Sequence, residues 1–182
     1  MARYSVRIEG EFERFTFKAD DGSYAVGRVE TPDGPVTVLG PIGGVSEGAF
    51  VKLEGSWSTH AKYGRQFRVL SCMVEEPRTT DGIERYLSSG SVRGLGVGLA
   101  KRVVERFGLD TIRVLDEEPE RLREVSGIGQ KRLEEVVAHW EQGQAMREVM
   151  IALRGHGVSA GVATRIIEKY GKGAMGVLKQ NP

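Results

Sequence analysis

The chain has 182 residues, with 26 Lys and Arg against 25 Asp and Glu, 25 Gly, 6 Pro and a single Cys. A formal charge of +1 excludes global basicity as a means of holding polyanions, so any anion binding must be local. One cysteine excludes an internal disulfide and a multi-thiolate metal site, and no apolar run approaches the roughly 18 residues of a membrane span.

Residues 1–76 read as strands. Val6, Ile8, Gly10 and Phe12 alternate with Arg7, Glu9 and Glu11, which predicts a strand over Ser5–Phe17. Turn clusters at 20–23 and 31–34 bound a second strand, Tyr24–Glu30. Val36–Leu39, Ala49–Trp57 and Gln66–Val74 complete a set of five. Short strands with no helical period predict a small closed barrel of the five-stranded OB type, with an SH3-like barrel as the alternative.

Residues 77–80 read as a linker. Asp81-Gly82-Ile83-Glu84 then has the form of a capping box, an acceptor followed three residues later by Glu. Apolar spacing turns helical beyond it: Leu99, Val103, Phe107; Leu133, Val136, Val137, Trp140; Val149, Leu153; Val162, Ile166, Tyr170. The expected fold is α+β and multidomain: a barrel over 1–76, an all-α unit over 81–141, and a further, incomplete unit over 142–182.

Glycine organises the second half. At 25 of 182 it makes up about 14% of the chain, twice the roughly 7% average. Gly94-Leu95-Gly96-Val97-Gly98-Leu99-Ala100 returns at a shift of 33 as Gly127-Ile128-Gly129-Gln130-Lys131-Arg132-Leu133. A weaker third copy, Gly157-Val158-Ser159-Ala160-Gly161-Val162-Ala163, lies at a shift of 63 from the first. At that shift Ala100–Gly108 also parallels Ala163–Gly171.

Each part of the pattern has a physical reason. The glycines permit a tight hairpin with positive φ. Leu95, Ile128 and Val158 plug the core beneath it, and the small residues Ala100 and Ala163 let helices cross closely. The second helix then begins with unpaired N–H groups, a ready seat for phosphate. Arg93, Lys101 and Arg102 flank the first hairpin, and Gln130, Lys131 and Arg132 the second.

This pattern resembles the helix-hairpin-helix (HhH) motif, a sequence-independent binder of the DNA backbone, and two copies 33 residues apart resemble its tandem form. The resemblance implies DNA contact at Arg93, Gly94, Gly96, Gly98, Lys101, Arg102, Gly127, Gly129, Gln130, Lys131 and Arg132. Gly157, Ser159 and Arg165 of the third copy are weaker candidates, since Ser159 stands where the second glycine belongs and its hydroxyl can cap the helix.

The stretch from Gly55 through Trp57, Tyr63 and Arg65 to Phe67, with Gly82–Leu87 and the closing Asn181-Pro182, is similar to the N-terminal region of RecD-like ATP-dependent DNA helicases. That family moves 5′ to 3′ on single strands. The resemblance implies a non-catalytic DNA-binding region, cytoplasmic, nucleoid-associated and monomeric, whose partners are DNA and the motor domains of its own parent chain. ATP and Mg are expected only for that motor. The chain contains no Gly-x-x-x-x-Gly-Lys-[Ser/Thr] phosphate loop, and reads as a piece of a longer protein. A junction-binding protein similar to RuvA, which also joins an OB barrel to tandem HhH motifs, is the alternative.

Other chemistry finds little support. His60, His139 and His156 lack metal-ligand spacing, and Ala138–Leu153 contains no Asp where an HhH glycosylase would need one. Cys72, in a strand beside Met73, reads as core. The barrel half is slightly acidic, with 10 basic against 11 acidic residues over 1–80. Its candidates for a single strand are Trp57, Phe15, Phe67 and Tyr63 as stacking platforms with Lys62, Arg65 and Arg68. Tyr63 and Arg65 stand out.

Overall fold

A computed structural model describes residues 5–155, 158, 160–174 and 176. Five strands come first: β1 Val6–Lys18, β2 Ala25–Thr31, β3 Gly34–Gly40, β4 Phe50–His60 and β5 Gly64–Glu75. They close into a barrel in the order β1-β2-β3-β5-β4. Every pairing is antiparallel except β3 with β5, where Val38 faces Phe67 and Leu39 faces Arg68.

The first strand is long because it serves two neighbours. Val6–Glu11 pairs with β4, and Glu11–Lys18 with β2. Gly10 sits at the changeover. A Cβ there would lie 2.9 Å from Val29 Cγ1 and run into the Glu30 carbonyl, so only glycine lets β1 fold so closely over β2. The inward alternation fills the barrel with Phe12, Val29, Val38, Val51, Leu53 and Phe67, each at most 1% exposed. Cys72 joins this core.

The helices follow as α1 Thr80–Tyr86, α2 Val97–Phe107, α3 Thr111–Glu117, α4 Gln130–Gly155 and α5 Ala160–Tyr170. The expected capping box at Asp81 is not the cap. Thr79 takes the N-cap, its hydroxyl accepting from the Gly82 N–H at 2.9 Å, and Asp81 lies inside the first turn. Both residues are good caps. The choice falls to Thr79 because its hydroxyl also donates to Glu11 of the barrel at 2.5 Å.

The 77–80 segment is likewise packed rather than slack. Pro77 is buried, and the Arg78 guanidinium lies 3.7 Å from the centre of the Phe50 ring. Arg85 reaches the other oxygen of Glu11 at 2.7 Å. Beside this clamp the backbones of Gly48 and Gly82 touch. A Cβ on Gly48 would run into the Gly82 carbonyl, and one on Gly82 would lie 2.9 Å from the Gly48 carbonyl oxygen.

The α-helical core gathers Ile83, Leu87, Val92, Leu95, Ala100, Val103, Leu115, Leu122, Ile128, Val136 and Trp140. A separate cluster, with Val149, Leu153, Ala163, Ile167 and Ala174, holds α5 on the far part of α4. The division expected at 141/142 falls inside α4, which runs unbroken from the second hairpin into the third unit.

Candidate nucleic-acid interface

The two hairpins have the same backbone. The Leu95 N–H bonds to the Val92 carbonyl at 3.3 Å, and the Ile128 N–H to the Val125 carbonyl at 3.2 Å. Each is a four-residue turn with glycine third, Gly94 at φ +95° and Gly127 at φ +96°. A positive φ at that position is what a type II turn demands. Leu95 and Ile128 point inward, 3% and 5% exposed, and anchor the turns from below.

Beyond each turn a helix begins on the second glycine. The Ala100 N–H bonds to the Gly96 carbonyl, and the Leu133 N–H to the Gly129 carbonyl, both at 2.9 Å. The amides of Val97, Gly98 and Leu99, and of Gln130, Lys131 and Arg132, are therefore the first-turn donors without an intrahelical acceptor. Gly96 has no side-chain oxygen to accept from these amides, as Ser or Asp would at an N-cap. A Cβ at Gly96, Gly98 or Gly129 would meet nothing within 4 Å, and Val97, Gly98, Gln130, Lys131 and Arg132 are exposed, so both helix starts face open space. Two such ends can each hold an oxyanion.

The hairpins pack reciprocally. A Cβ at Gly94 would touch Val136 at 3.1 Å and Glu135 at 3.6 Å on α4; one at Gly127 would touch Leu99 at 3.0 Å and Arg102 at 3.2 Å on α2. Arg102 and Glu135 are 33 residues apart, as are the two glycines. The repeat in sequence is thus a pseudo-twofold in space.

That packing gives two of the expected contact residues partners within the chain. Arg102 donates to the Ser126 carbonyl at 3.2 Å, bracing the second hairpin. Arg93 pairs with Glu135 at 3.5 Å, while its backbone N–H donates to His139 Nδ1 at 3.1 Å. Gln130 is tied to Glu134 at 2.9 Å. Lys101, Lys131 and Arg132 are exposed, and among the described residues no ion pair or hydrogen bond engages their side chains.

The first arms of the hairpins are shorter than two amphipathic helices would be. In copy one the arm is α1 extended by a wide turn, Leu87–Ser91, broken where Gly90 takes φ +87°. In copy two it is a 3-10 turn, Pro119–Glu124. Leu133, at the position that Ala100 and Ala163 hold in the other copies, is buried at 6% exposure.

The third copy repeats the first downstream but not at the hairpin. α2 and α5 have matching bounds at the shift of 63, and each is followed by a 3-10 turn opened by a positive-φ glycine, Gly108 at +56° and Gly171 at +52°. Ala100 and Ala163 are both fully buried. The Val158 N–H, however, bonds to the Leu153 carbonyl, five residues back, at 3.1 Å. That is the reach of a helix C-cap closure, not of the tight turn. Gly157 and Ser159 lie outside the described residues. Arg165 is exposed on α5; two Ser23 hydrogen bonds and, least of all, the Arg165 charge hold the Asp21 carboxyl below its usual range.

In the barrel, Phe67 is fully buried and is no stacking platform, and Phe15 is half-buried against Phe12 at 4.7 Å. Trp57 is half-buried and covered by the Arg65 guanidinium, 3.9 Å from its ring centre. Tyr63 is 63% exposed in the turn between β4 and β5, with Lys62 Nζ 5.3 Å from its ring centre. Among the described residues no group of three His, Cys, Asp or Glu could hold a metal, and no helix is long and apolar enough to cross a membrane.

Comparison with known proteins separates the two ends of the chain. Residues 5–77 match the family model described as the OB-fold domain of ATP-dependent DNA helicase YrrC, and residues 141–182 match the HHH domain of ATP-dependent RecD2 DNA helicase. The ATP-dependent RecD2 DNA helicase of Deinococcus radiodurans is 26% identical over 182 residues, covering 96% of this chain. The chain spans 25% of that relative's length.

Proposed function

This chain carries the OB-fold and HHH domains of RecD2-type DNA helicases, and from that premise we propose that it binds DNA without regard to sequence, for a motor in the same parent protein. The two hairpins grip the sugar-phosphate backbone. The observation that carries this reading is the paired set of open helix starts at Gly96 and Gly129, related by a pseudo-twofold and free of capping side chains. Phosphate needs donors and local positive potential, and the site offers both through main-chain amides with Lys101, Lys131 and Arg132 beside them. No base-reading group is required.

The match at 141–182 supports the helicase reading over a junction-binding subunit, because the models matched by the barrel and by the third unit are both described as domains of ATP-dependent DNA helicases. ATP hydrolysis, strand polarity and any Mg requirement belong to the parent's motor.

The test is duplex binding by the chain over a salt titration, with several unrelated sequences. Affinity should be alike across sequences and fall steeply with salt, since each phosphate neutralised releases a counterion. Affinity that ignores salt, or that follows one sequence, would overturn the proposal.

A further inference from the structure

The groove between the first hairpin and α4 is lined by Arg93, Gly94, Gly96, Gly98, Arg132 and His139, among others. His139 stands half-buried on α4, and its Nδ1 accepts the Arg93 N–H at 3.1 Å. Arg93 is the second residue of the Val92–Leu95 turn, whose own hydrogen bond uses the fourth residue's amide. The Arg93 amide is therefore left over for an acceptor outside the turn. A side chain of the second copy supplies it.

The tie is one-sided. The residue 33 positions before His139 is Arg106, which pairs with Glu124 at 2.5 Å instead. Only the first hairpin, among the described residues, is latched through a ring nitrogen. An imidazole accepts at Nδ1 only while it is neutral; once doubly protonated it is a donor at both nitrogens.

We propose that His139 is a positioning residue for the first hairpin, and that protonating it releases the Arg93 amide and weakens the grip on DNA. This rests on the hairpin reading above. The charged groups around His139 are the Arg93 guanidinium across the groove, with Glu135 and Arg132 on α4 itself. Protonation adds a positive charge beside two arginines and one carboxylate. The sign of the effect is what makes it diagnostic. Added positive charge ordinarily strengthens binding to a polyanion, whereas loss of the latch weakens it.

The experiment measures binding of the chain to a short labelled duplex of mixed sequence, at constant ionic strength, from pH about 8 to about 5.5, across the imidazole range. The Arg93 amide is followed by NMR in the same series. Acidification should reduce affinity roughly five-fold, the worth of about one hydrogen bond, as the Arg93 amide resonance moves away from its bonded position. His139→Asn keeps an acceptor near the same place but does not titrate, so its affinity should stay flat with pH. His139→Ala should bind weakly throughout. Affinity that holds or rises on acidification, or wild-type binding by His139→Ala, would overturn the latch. So would an Arg93 amide indifferent to acid while binding persists. No duplex binding at any pH would overturn the hairpin reading itself.

Discussion

At the scale of single residues, the glycines of each hairpin divide into two kinds of work. Gly94 and Gly127 are conformational: both sit at positive φ and press against the neighbouring copy. Gly94→Ala or Gly127→Ala should cost about 1–2 kcal/mol of stability from the left-handed backbone alone, read as a lower midpoint in denaturant. Gly96 and Gly129 are different. Neither has a positive φ, and a side chain would stand in open space. Gly96→Leu with Gly129→Leu should leave the melting temperature nearly unchanged yet weaken duplex binding at least ten-fold, because the side chain takes the room a phosphate needs. A fluorescence titration beside a thermal melt checks both halves of that statement. The sequence pattern alone located all four glycines, because the Gly-x-Gly spacing repeats at a shift of 33. It did not separate the two roles, which depend on what lies opposite. It did not show the partners that Arg93 and Arg102 find on the other copy, because these are invisible to local spacing.

At the scale of elements, α4 is the surprise. Gly143 lies in its interior, where glycine costs about 1 kcal/mol relative to alanine. The helix continues because both sides of the glycine are fastened. Trp140 Nε1 donates to Asp116 at 2.7 Å, Gln144 bonds to the same carboxylate, and Arg147 donates to the Tyr86 hydroxyl at 2.6 Å. Tyr86→Phe should therefore loosen α1 from α4 and lower the midpoint of the helical unit by about 1 kcal/mol, one hydrogen bond, in denaturant unfolding. Acid acts on the second hairpin's first arm. Hydrogen bonding by Arg121, then by Arg106, holds the Glu124 carboxyl below its ordinary range. A lowered carboxylate stabilises the fold above its unfolded-state value and stops doing so as pH falls through the folded one. Thermal melts should show the loss below about pH 4, and Glu124→Gln should flatten that part of the profile. Strand positions in the barrel were legible from two-residue alternation. The N-cap was not, because Thr79 is selected over Asp81 by Glu11, 68 residues away.

At the scale of the whole molecule, barrel and helices are joined by a seam rather than a tether. Glu11, 15% exposed in its side chain, takes Thr79 on one oxygen and Arg85 on the other, beside the Gly48–Gly82 contact. A linker was expected at 77–80, but Pro77 is buried, Arg78 lies over Phe50 and Thr79 bonds to Glu11. Glu11→Ala should cost roughly 1–3 kcal/mol by stranding its partners and should make the join a site of proteolytic cleavage. A barrel held at a fixed angle can place Tyr63 and Arg65 relative to whatever the hairpins hold.

The central claim is that main-chain amides at two helix starts seat the DNA backbone. Amide resonances of the nitrogen-labelled chain, followed as a short duplex is added, test it most directly. The largest changes should fall on Val97, Gly98 and Leu99 and, together with them, on Gln130, Lys131 and Arg132. Changes confined to the barrel, or to one hairpin with the other silent, would contradict it.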